Sequence, residues 1–216
     1  DAARLSVNDE ALSGRPTLRV LYPENRIVYP PMGRWSNTST SIRSDGTWGK
    51  TPGMNQLFGK RITIKGSGSG IEAWTDLVVR VPRGHKVSVY SLAGAGQIQN
   101  VDGQLLFDGG SGGVQAEKCR GTLTIDLGSG GVQVAGFEGT LVIDTGSGSV
   151  RVADATGPSL RIDTGASLFA SLDVYVNVPV GVWDELRRAD PELAPEGQLS
   201  ATGVGGTVAL PVARIQ

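Results

Sequence analysis

The sequence predicts an all-β fold, a single-chain parallel β-solenoid (β-helix-like) with coils of about 18 residues. One pattern is repeated from Gly103, Gly121 and Gly139, and the copy at Gly121 reads GTLTIDLGSGGVQVAGFE. Apolar and polar residues alternate within each copy, as they do in strands that bury one face. A short repeat of this kind can cover its apolar face only by stacking on its neighbours, which predicts an elongated stack of coils.

The composition indicates a single folded domain whose binding does not depend on overall charge. The 216 residues include 20 Lys and Arg against 21 Asp and Glu. Neither sign forms a long run, which argues against nucleic acid or anionic lipid as the main partner. No stretch approaches the roughly 18 apolar residues of a membrane-spanning helix, so no membrane span is predicted. No cofactor is predicted either.

Residues 1–59 are predicted to form strands and an irregular loop that pack on the solenoid. Two strands ended by proline are predicted at TLRVLYP and NRIVYP, and Asp45-Gly46 is a hairpin signal. The segment from Pro30 to Gln56 is the most irregular, which predicts a loop or flap.

The solenoid repeats are predicted over residues 60–172. Alternating segments at 61–66, 76–84 and 86–91 are predicted as strands that lead into the repeats. The corners are runs of glycine and serine, which form turns that carry no bulky side chain. Pro158 brings one extra residue into the last coil, so a bulge is predicted there.

Residues 173–216 are predicted to form a C-terminal cap on the same structural domain. A strand is predicted at DVYVNVPVG and another at TVALPVARI. Between them, Trp183, Leu186 and Ala189 fall on one face of a short helix that Pro191 limits to about two turns. Such a cap would cover backbone groups that an open end of the stack leaves unpaired.

An aspartate recurs once in every coil, directly before or close to the glycine-rich corner. Stacking would align these residues in one row: Asp108, Asp126, Asp144 and Asp163. One hypothesis is a calcium-binding row, because carboxylates at repeated turns are hard oxygen ligands. The favoured alternative is that each carboxylate accepts hydrogen bonds from N–H groups of the following corner. Calcium-binding nonapeptide repeats place their aspartate after the glycines and recur at half this period.

No further group of residues predicts a catalytic or metal site. His85 is the one histidine, and it lies in a turn without a nucleophile or ligand pattern around it. The segment GSGSG at 66–70 lacks the GKS or GKT of a phosphate-binding loop, which predicts a corner. Cys119 shares its repeat position with Val101 and Phe137, which predicts a buried thiol.

The outward face of the coils is rich in polar residues such as Thr122, Thr124 and Gln133. A flat face of this kind suits a sugar or an ordered surface, although threonine is also favoured at exposed strand positions in general. The four tryptophans all lie outside the regular coils. Packing in a core or cap is their more usual role, and stacking on a sugar is the alternative.

The succession of these motifs resembles a known family. It consists of VRVPRGHKVSVYS, then repeats of G-x-[LI]-x-[VIF]-D-x-G-S-G-x-V-x-V, then a closing strand with Val-Pro. This order resembles the DUF4097 group of adhesin-like proteins, also described as toastrack-type β-strand repeat proteins, over about Lys60 to Leu172. The resemblance implies a single-chain β-solenoid exported to the bacterial envelope or surface. It implies no enzymatic activity and offers no catalytic residues.

We therefore expect a non-enzymatic, extracytoplasmic structural or adhesive module whose partners are further copies of itself or a surface or glycan ligand. Self-assembly would follow if a terminal strand of one copy completes the sheet edge of the next. The alternative is a carbohydrate-binding or carbohydrate-active β-helix protein. A third interpretation is a cytoplasmic scaffold polymer of the bactofilin kind, which is favoured only if the full gene encodes no signal peptide.

Overall fold

The computed structural model describes residues 6–12, 14–22, 24–43, 46–48, 59–165, 174–176, 198–203 and 206–211. This part of the chain is all-β, apart from a short 3-10 helix at Pro30–Met32. The chain divides into two compact units, Asp1–Val78 and Val79–Gln216. The second unit contains a parallel β-solenoid of about four turns with about 18 residues per turn, which confirms the predicted fold class.

The N-terminal unit contains a two-stranded sheet and a four-stranded sheet. Strands β1 (Ser6–Asn8) and β2 (Arg19–Leu21) pair antiparallel. The larger sheet consists of β3 (Arg26–Val28), β4 (Asn37–Arg43), β5 (Gly59–Lys65) and β6 (Ile71–Glu72), in the order β4-β5-β3-β6. Ile27, Ile62 and Ile64 of this sheet are buried.

Two features of the N-terminal unit differ from the sequence predictions. The strand predicted at 61–66 exists as β5, but it pairs with β4 and β3 rather than leading into the solenoid, which the repeat pattern predicts from residue 60. Strand β4 lies in the segment predicted as a loop or flap. Its sequence NTSTSIR contains a single aliphatic residue, and only the antiparallel pairing with β5 makes it a strand.

The segment predicted as a strand at 76–84 is not one. Residues 73–82 belong to no strand, and Arg83 and Gly84 form a turn. The side chains of Leu77, Val78 and Val79 are 57%, 88% and 56% exposed. Alternating apolar residues favour a strand, but the backbone becomes one only where a neighbouring strand accepts and donates its hydrogen bonds.

The solenoid winds through two parallel sheets. The first contains β8 (Gly96–Gln99), β10 (Val114–Glu117) and the opening parts of β12 (Val132–Thr145) and β13 (Val150–Thr164). The second contains β7 (His85–Ala93), β9 (Asp102–Ser111), β11 (Arg120–Ser129) and the later parts of β12 and β13. Equivalent residues of successive repeats lie side by side, as Leu123 and Leu141 do.

Inward side chains of the solenoid stack on residues of similar kind. Ile125 and Ile143 face each other on β11 and β12 with no exposed surface, and Val134 pairs in the same way with Val152. Each fully buried aliphatic side chain of this size stabilises the fold by about 1.5–3 kcal/mol. Cys119 is 5% exposed and belongs to the same core, which confirms the predicted buried thiol.

One row of glycines lies where the chain enters the second sheet. A Cβ on Gly121 would lie within van der Waals overlap of the Gly103 carbonyl oxygen, and the same holds for Gly139 against Gly121 and Gly157 against Gly139. The φ angles of Gly121 and Gly139 are 105° and 133°, which side chains disfavour. Because the backbones of successive coils touch at this row, the repeat requires glycine here.

The predicted bulge near Pro158 is present. The register between β12 and β13 shifts after Glu138, and Thr140 pairs with Ser159. The inserted residue is absorbed there, so Asp163 again lies opposite Asp144. The bulge therefore leaves the row of aspartates unbroken.

Beyond the regular coils, three further strands continue the solenoid sheets. Strand β14 (Val174–Val176) pairs parallel with β13. Strand β15 (Gln198–Gly203) also pairs parallel with β13 and forms an antiparallel hairpin with β16 (Gly206–Pro211). The two strands predicted for the cap overlap β14 and β16, whereas the predicted helix around Leu186 lies outside the described residues, as does Asp45 of the predicted hairpin turn.

Candidate functional site

The structure brings the four predicted aspartates into one row on the second sheet. Asp108 pairs with Asp126, Asp126 with Asp144, and Asp144 with Asp163. These carboxylates alternate with buried residues such as Ile125 and Ile143, so they lie on the outward face. Tyr90 of β7 continues the row at one end and Thr202 of β15 at the other.

The row changes the proton affinity of two of its members. Partial burial raises the pKa of Asp108, and the neighbouring charge of Asp126 raises it further. Partial burial also raises the pKa of Asp144, as do the charges of Asp126 and Asp163, whereas Arg161 lowers it. Like charges on adjacent strands, about 4.8 Å apart, therefore repel one another along this face.

The hydrogen bonds expected between these carboxylates and the glycine corners are not formed among the described residues. Corner N–H groups donate instead to carbonyls of neighbouring coils, from Gly112 to Ser129 at 3.0 Å, from Gly130 to Ser147 at 2.7 Å and from Gly146 to Leu127 at 2.8 Å. That interpretation was wrong because in-register stacking already uses the corner donors. For the calcium hypothesis, the described residues contain no group of three or more His, Cys, Asp or Glu that could hold a metal ion.

The other residues considered from sequence lie apart from this row. His85 is exposed at the start of β7, with its Nδ1 atom 3.0 Å from the Arg83 carbonyl oxygen. The glycine-rich segment 66–70 forms bends between β5 and β6 in the N-terminal unit, and the Ser67 hydroxyl donates to the Arg34 carbonyl at 2.8 Å. This segment is a turn between two strands, but it belongs to the N-terminal unit and not to the solenoid whose corners it was predicted to resemble.

The outward face carries the polar residues that the alternation predicts. Thr122 and Gln133 are exposed, and Thr124 is half-buried. In the first sheet, glutamine occupies the same outward position in three successive coils before arginine replaces it: Gln97, Gln115, Gln133 and Arg151. Side-chain amides in such a row can donate and accept hydrogen bonds, so the outward face of the first sheet is polar and lacks the row of like charges that the second sheet carries.

Two tryptophans differ from the packing role that is usual for this residue. Trp35 is 90% exposed, and the Arg34 guanidinium lies over its ring at 5.4 Å. Trp74 is 44% exposed, and its ring centroid lies 6.1 Å from that of Tyr29. Trp183 lies outside the described residues. Trp48 is half-buried, and all three described tryptophans belong to the N-terminal unit, so the described part of the second unit contains none.

The first coil has two strand edges that no other described strand covers, a feature that the sequence patterns did not reveal. Within the described chain, β7 pairs only with β9, and β8 pairs only with β10. The inward residues Val87 and Val89 of β7 are half-buried, whereas Leu105 and Phe107, their partners on β9, are 7% and 6% exposed. An edge strand of this kind offers unpaired backbone groups and an incomplete apolar layer to another molecule.

Neither a membrane-spanning helix nor a similarity to a known protein assigns a function to this chain. No helix in the described ranges is both long and apolar enough to cross a membrane. In comparisons with known proteins, no family model, no curated protein and no solved structure matches this chain.

Proposed function

We propose that the chain is a non-enzymatic structural or adhesive β-solenoid module that functions outside the cytoplasm and assembles with further copies of itself. The observation that carries the assembly is the pair of edges on β7 and β8 that no other described strand covers, next to half-buried Val87 and Val89. A second copy could continue both sheets there without a change in the solenoid. The location follows from the family resemblance.

The strand order supports a contact that repeats from copy to copy. In the second sheet, β7 stands at one end of the order and β16 at the other. If β16 of one copy pairs with β7 of the next, the contact joins two different surfaces and leaves one of each free. Contacts of this type generate filaments, whereas β7 pairing with β7 of a second copy would close a dimer.

A pair of lysine substitutions on β7 tests the assembly. Val87→Lys places a charge at the inward, half-buried end of the core, a device that blocks edge pairing. Ser88→Lys adds the same charge to the exposed side of the same strand. We expect wild type and Ser88→Lys to form polymers or oligomers with rising concentration, and Val87→Lys to remain monomeric.

Sedimentation velocity and negative-stain electron microscopy at several concentrations give the readout. Thermal melting of Val87→Lys confirms that the variant is folded. Only dispersed monomers of the wild type at every concentration would contradict the assembly. An unchanged oligomer in Val87→Lys would place the contact elsewhere and contradict the use of this edge.

The remaining parts of the proposal have separate tests. Incubation with a panel of polysaccharides, followed by measurement of new reducing ends, tests the absence of enzymatic activity, and release of reducing sugar would overturn it. Fractionation of cells that express the full gene tests the location. Recovery of the protein only in the cytoplasm would favour the bactofilin-like scaffold instead.

A further inference from the structure

One corner of the solenoid forms a groove that is separate from the aspartate row. It is a concave region of about 370 Å³ where the corners of successive coils lie side by side. The corner residues Asn100 and Lys118 are held by equivalent hydrogen bonds, from the Asn100 N–H to the Glu117 carbonyl at 3.0 Å and from the Lys118 N–H to the Ala135 carbonyl at 2.9 Å. The backbone of the groove is therefore set by the stack.

Basic side chains outnumber acidic ones along this groove. Arg83, Lys118 and Arg120 line it together with Asp102 and Glu138, which leaves one positive charge in excess. Arg120 forms an ion pair with Glu138 at 2.5 Å. Among the described residues, neither Arg83 nor Lys118 forms an ion pair within 4 Å, so these two cations are available to a ligand.

Lys118 occupies a backbone position that does not favour lysine. Its φ angle is 53°, in the left-handed region, and the equivalent residues of the other coils are Asn100, Gly136 and Asp154. Asparagine, glycine and aspartate are the residues that adopt this conformation most readily. Only Lys118 departs from that preference, and it does so where its side chain lines the groove. Backbone strain of this kind is concentrated at functional positions.

We propose that this corner groove binds a saccharide that carries a carboxylate or sulfate group. The guanidinium of Arg83 and the ammonium of Lys118 would contact the anionic group, since arginine matches such oxyanions with two parallel hydrogen bonds. The Asn100 amide and the Asp102 carboxylate, which line the same groove, can bond sugar hydroxyls. The near balance of charge over the whole chain does not prevent this local excess.

The proposal assigns a ligand class to the adhesive part of the proposed function and rests on that part alone. Assembly through β7 is measured by oligomeric state, whereas the groove is measured by ligand affinity. A monomeric protein that binds the saccharide would therefore contradict assembly and support the groove. An assembled protein that binds no saccharide would support assembly and contradict the groove.

Binding is measured with three labelled oligosaccharides of equal length: chondroitin sulfate, oligogalacturonate and neutral maltohexaose. Fluorescence polarisation at low ionic strength, where charge contacts are least screened, gives the affinities. We expect at least one of the two anionic oligosaccharides to bind tenfold or more tightly than maltohexaose. Equal affinity for all three would overturn the proposal, as would displacement of the bound oligosaccharide by inorganic sulfate at matching concentration.

Lys118→Asn separates a binding role from a structural one. The variant removes a cation and introduces the residue that the preceding coil uses at Asn100, so we expect an unchanged or higher melting temperature. Affinity for the anionic oligosaccharide should fall tenfold or more. Lys86→Gln removes an exposed lysine from β7 and should change affinity less than twofold. An equal loss in both variants would indicate unspecific charge attraction and contradict the site.

A second variant fills the groove without changing its charge. Gly136 has a φ angle of 65°, which asparagine tolerates, and an added Cβ would lie 3.7 Å or more from its nearest neighbours on Lys118. Gly136→Asn should therefore fold normally while its side chain obstructs the groove. We expect at least a fivefold loss of affinity. Full affinity in a folded Gly136→Asn protein would contradict the location of the site.

Discussion

At the scale of single residues, the most unusual feature is the row of like charges on the outward face. Asp126 lies between Asp108 and Asp144 on adjacent strands, and its charge contributes to the raised pKa of both. Opposed like charges in a sheet cost a few tenths of a kcal/mol or more. The fold carries this cost because the same repeat that stacks the apolar residues also stacks the aspartates.

The row predicts that part of the stability of the solenoid decreases as pH rises. In the folded state, the pKa values of Asp108 and Asp144 lie above the ordinary aspartate value of 3.8. Their contribution to the free energy of unfolding is therefore fully present below pH 3.8 and is lost as pH rises through the folded pKa values. Asp126→Asn should weaken this dependence and stabilise the protein at pH 7 by a few tenths of a kcal/mol.

Urea unfolding between pH 3 and pH 7 measures this effect as the difference between each variant and the wild type. Asp154→Asn is the matched control, because it removes an exposed carboxylate outside the row at a left-handed position where asparagine is accepted. A pH dependence that changes equally in Asp126→Asn and Asp154→Asn would contradict the coupling within the row.

Inward and outward positions of one strand predict opposite responses to substitution. Ile143 is fully buried, so Ile143→Asp places an unpaired charge among aliphatic side chains and should cost about 4 kcal/mol or more. Thr140 is half-buried on the same strand, and Thr140→Ser should change the free energy of unfolding by about 0.5 kcal/mol or less. Thermal melting compares the two variants, and similar melting temperatures would contradict the assignment of the faces.

At the scale of elements, the glycine row determines how closely successive coils approach. Gly139→Ala would bring a Cβ against the Gly121 carbonyl oxygen and would also occupy a φ of 133°. Strain and overlap together should destabilise the solenoid by roughly 2–5 kcal/mol. Gly136→Asn, three residues earlier on β12, meets no such overlap and serves as the control. Chemical denaturation measures both, and equal stability would contradict the backbone contact at Gly139.

Two sequence predictions outside the regular repeat were wrong, and strand pairing explains both. Strand β4 has a polar sequence and exists because β5 lies beside it. The segment 76–81 has the alternation of a strand, yet it belongs to none in the structure. The local alternation of residues indicates which segments suit a strand. Whether a segment forms one depends on whether a partner strand lies beside it.

At the scale of the whole molecule, a stack in which each coil contacts only its neighbours should lose structure from its ends. Among the described strands, β11 and β12 have a neighbour on each side, whereas β7 has one neighbour and half-buried inward residues. Hydrogen exchange followed by mass spectrometry should show amides of β11 and β12 exchanging about tenfold or more slowly than those of β7. Uniform protection across the three strands would indicate that the edge of β7 is covered, which Val87→Lys would then test.

Much of the solenoid follows from the sequence itself. The spacing between Gly103, Gly121 and Gly139 determined the coil length, and alternation determined which side chains face inward. The position of Pro158 predicted the bulge, and the recurrence of aspartate predicted the row that contains Asp126 and Asp163. These features are predictable because the same residue types recur at a constant spacing, and stacking places equivalent residues side by side.

Only the tertiary structure decided which backbone groups remain unpaired and which distant side chains meet. The edges of β7 and β8 that no other described strand covers, the use of corner donors between coils, and the groove shared by Arg83 and Lys118 depend on the register between strands of successive coils. Periodicity specifies what each residue prefers. Hydrogen-bond partners and charge clusters are set by long-range geometry, because they require two parts of the chain to occupy neighbouring positions at once.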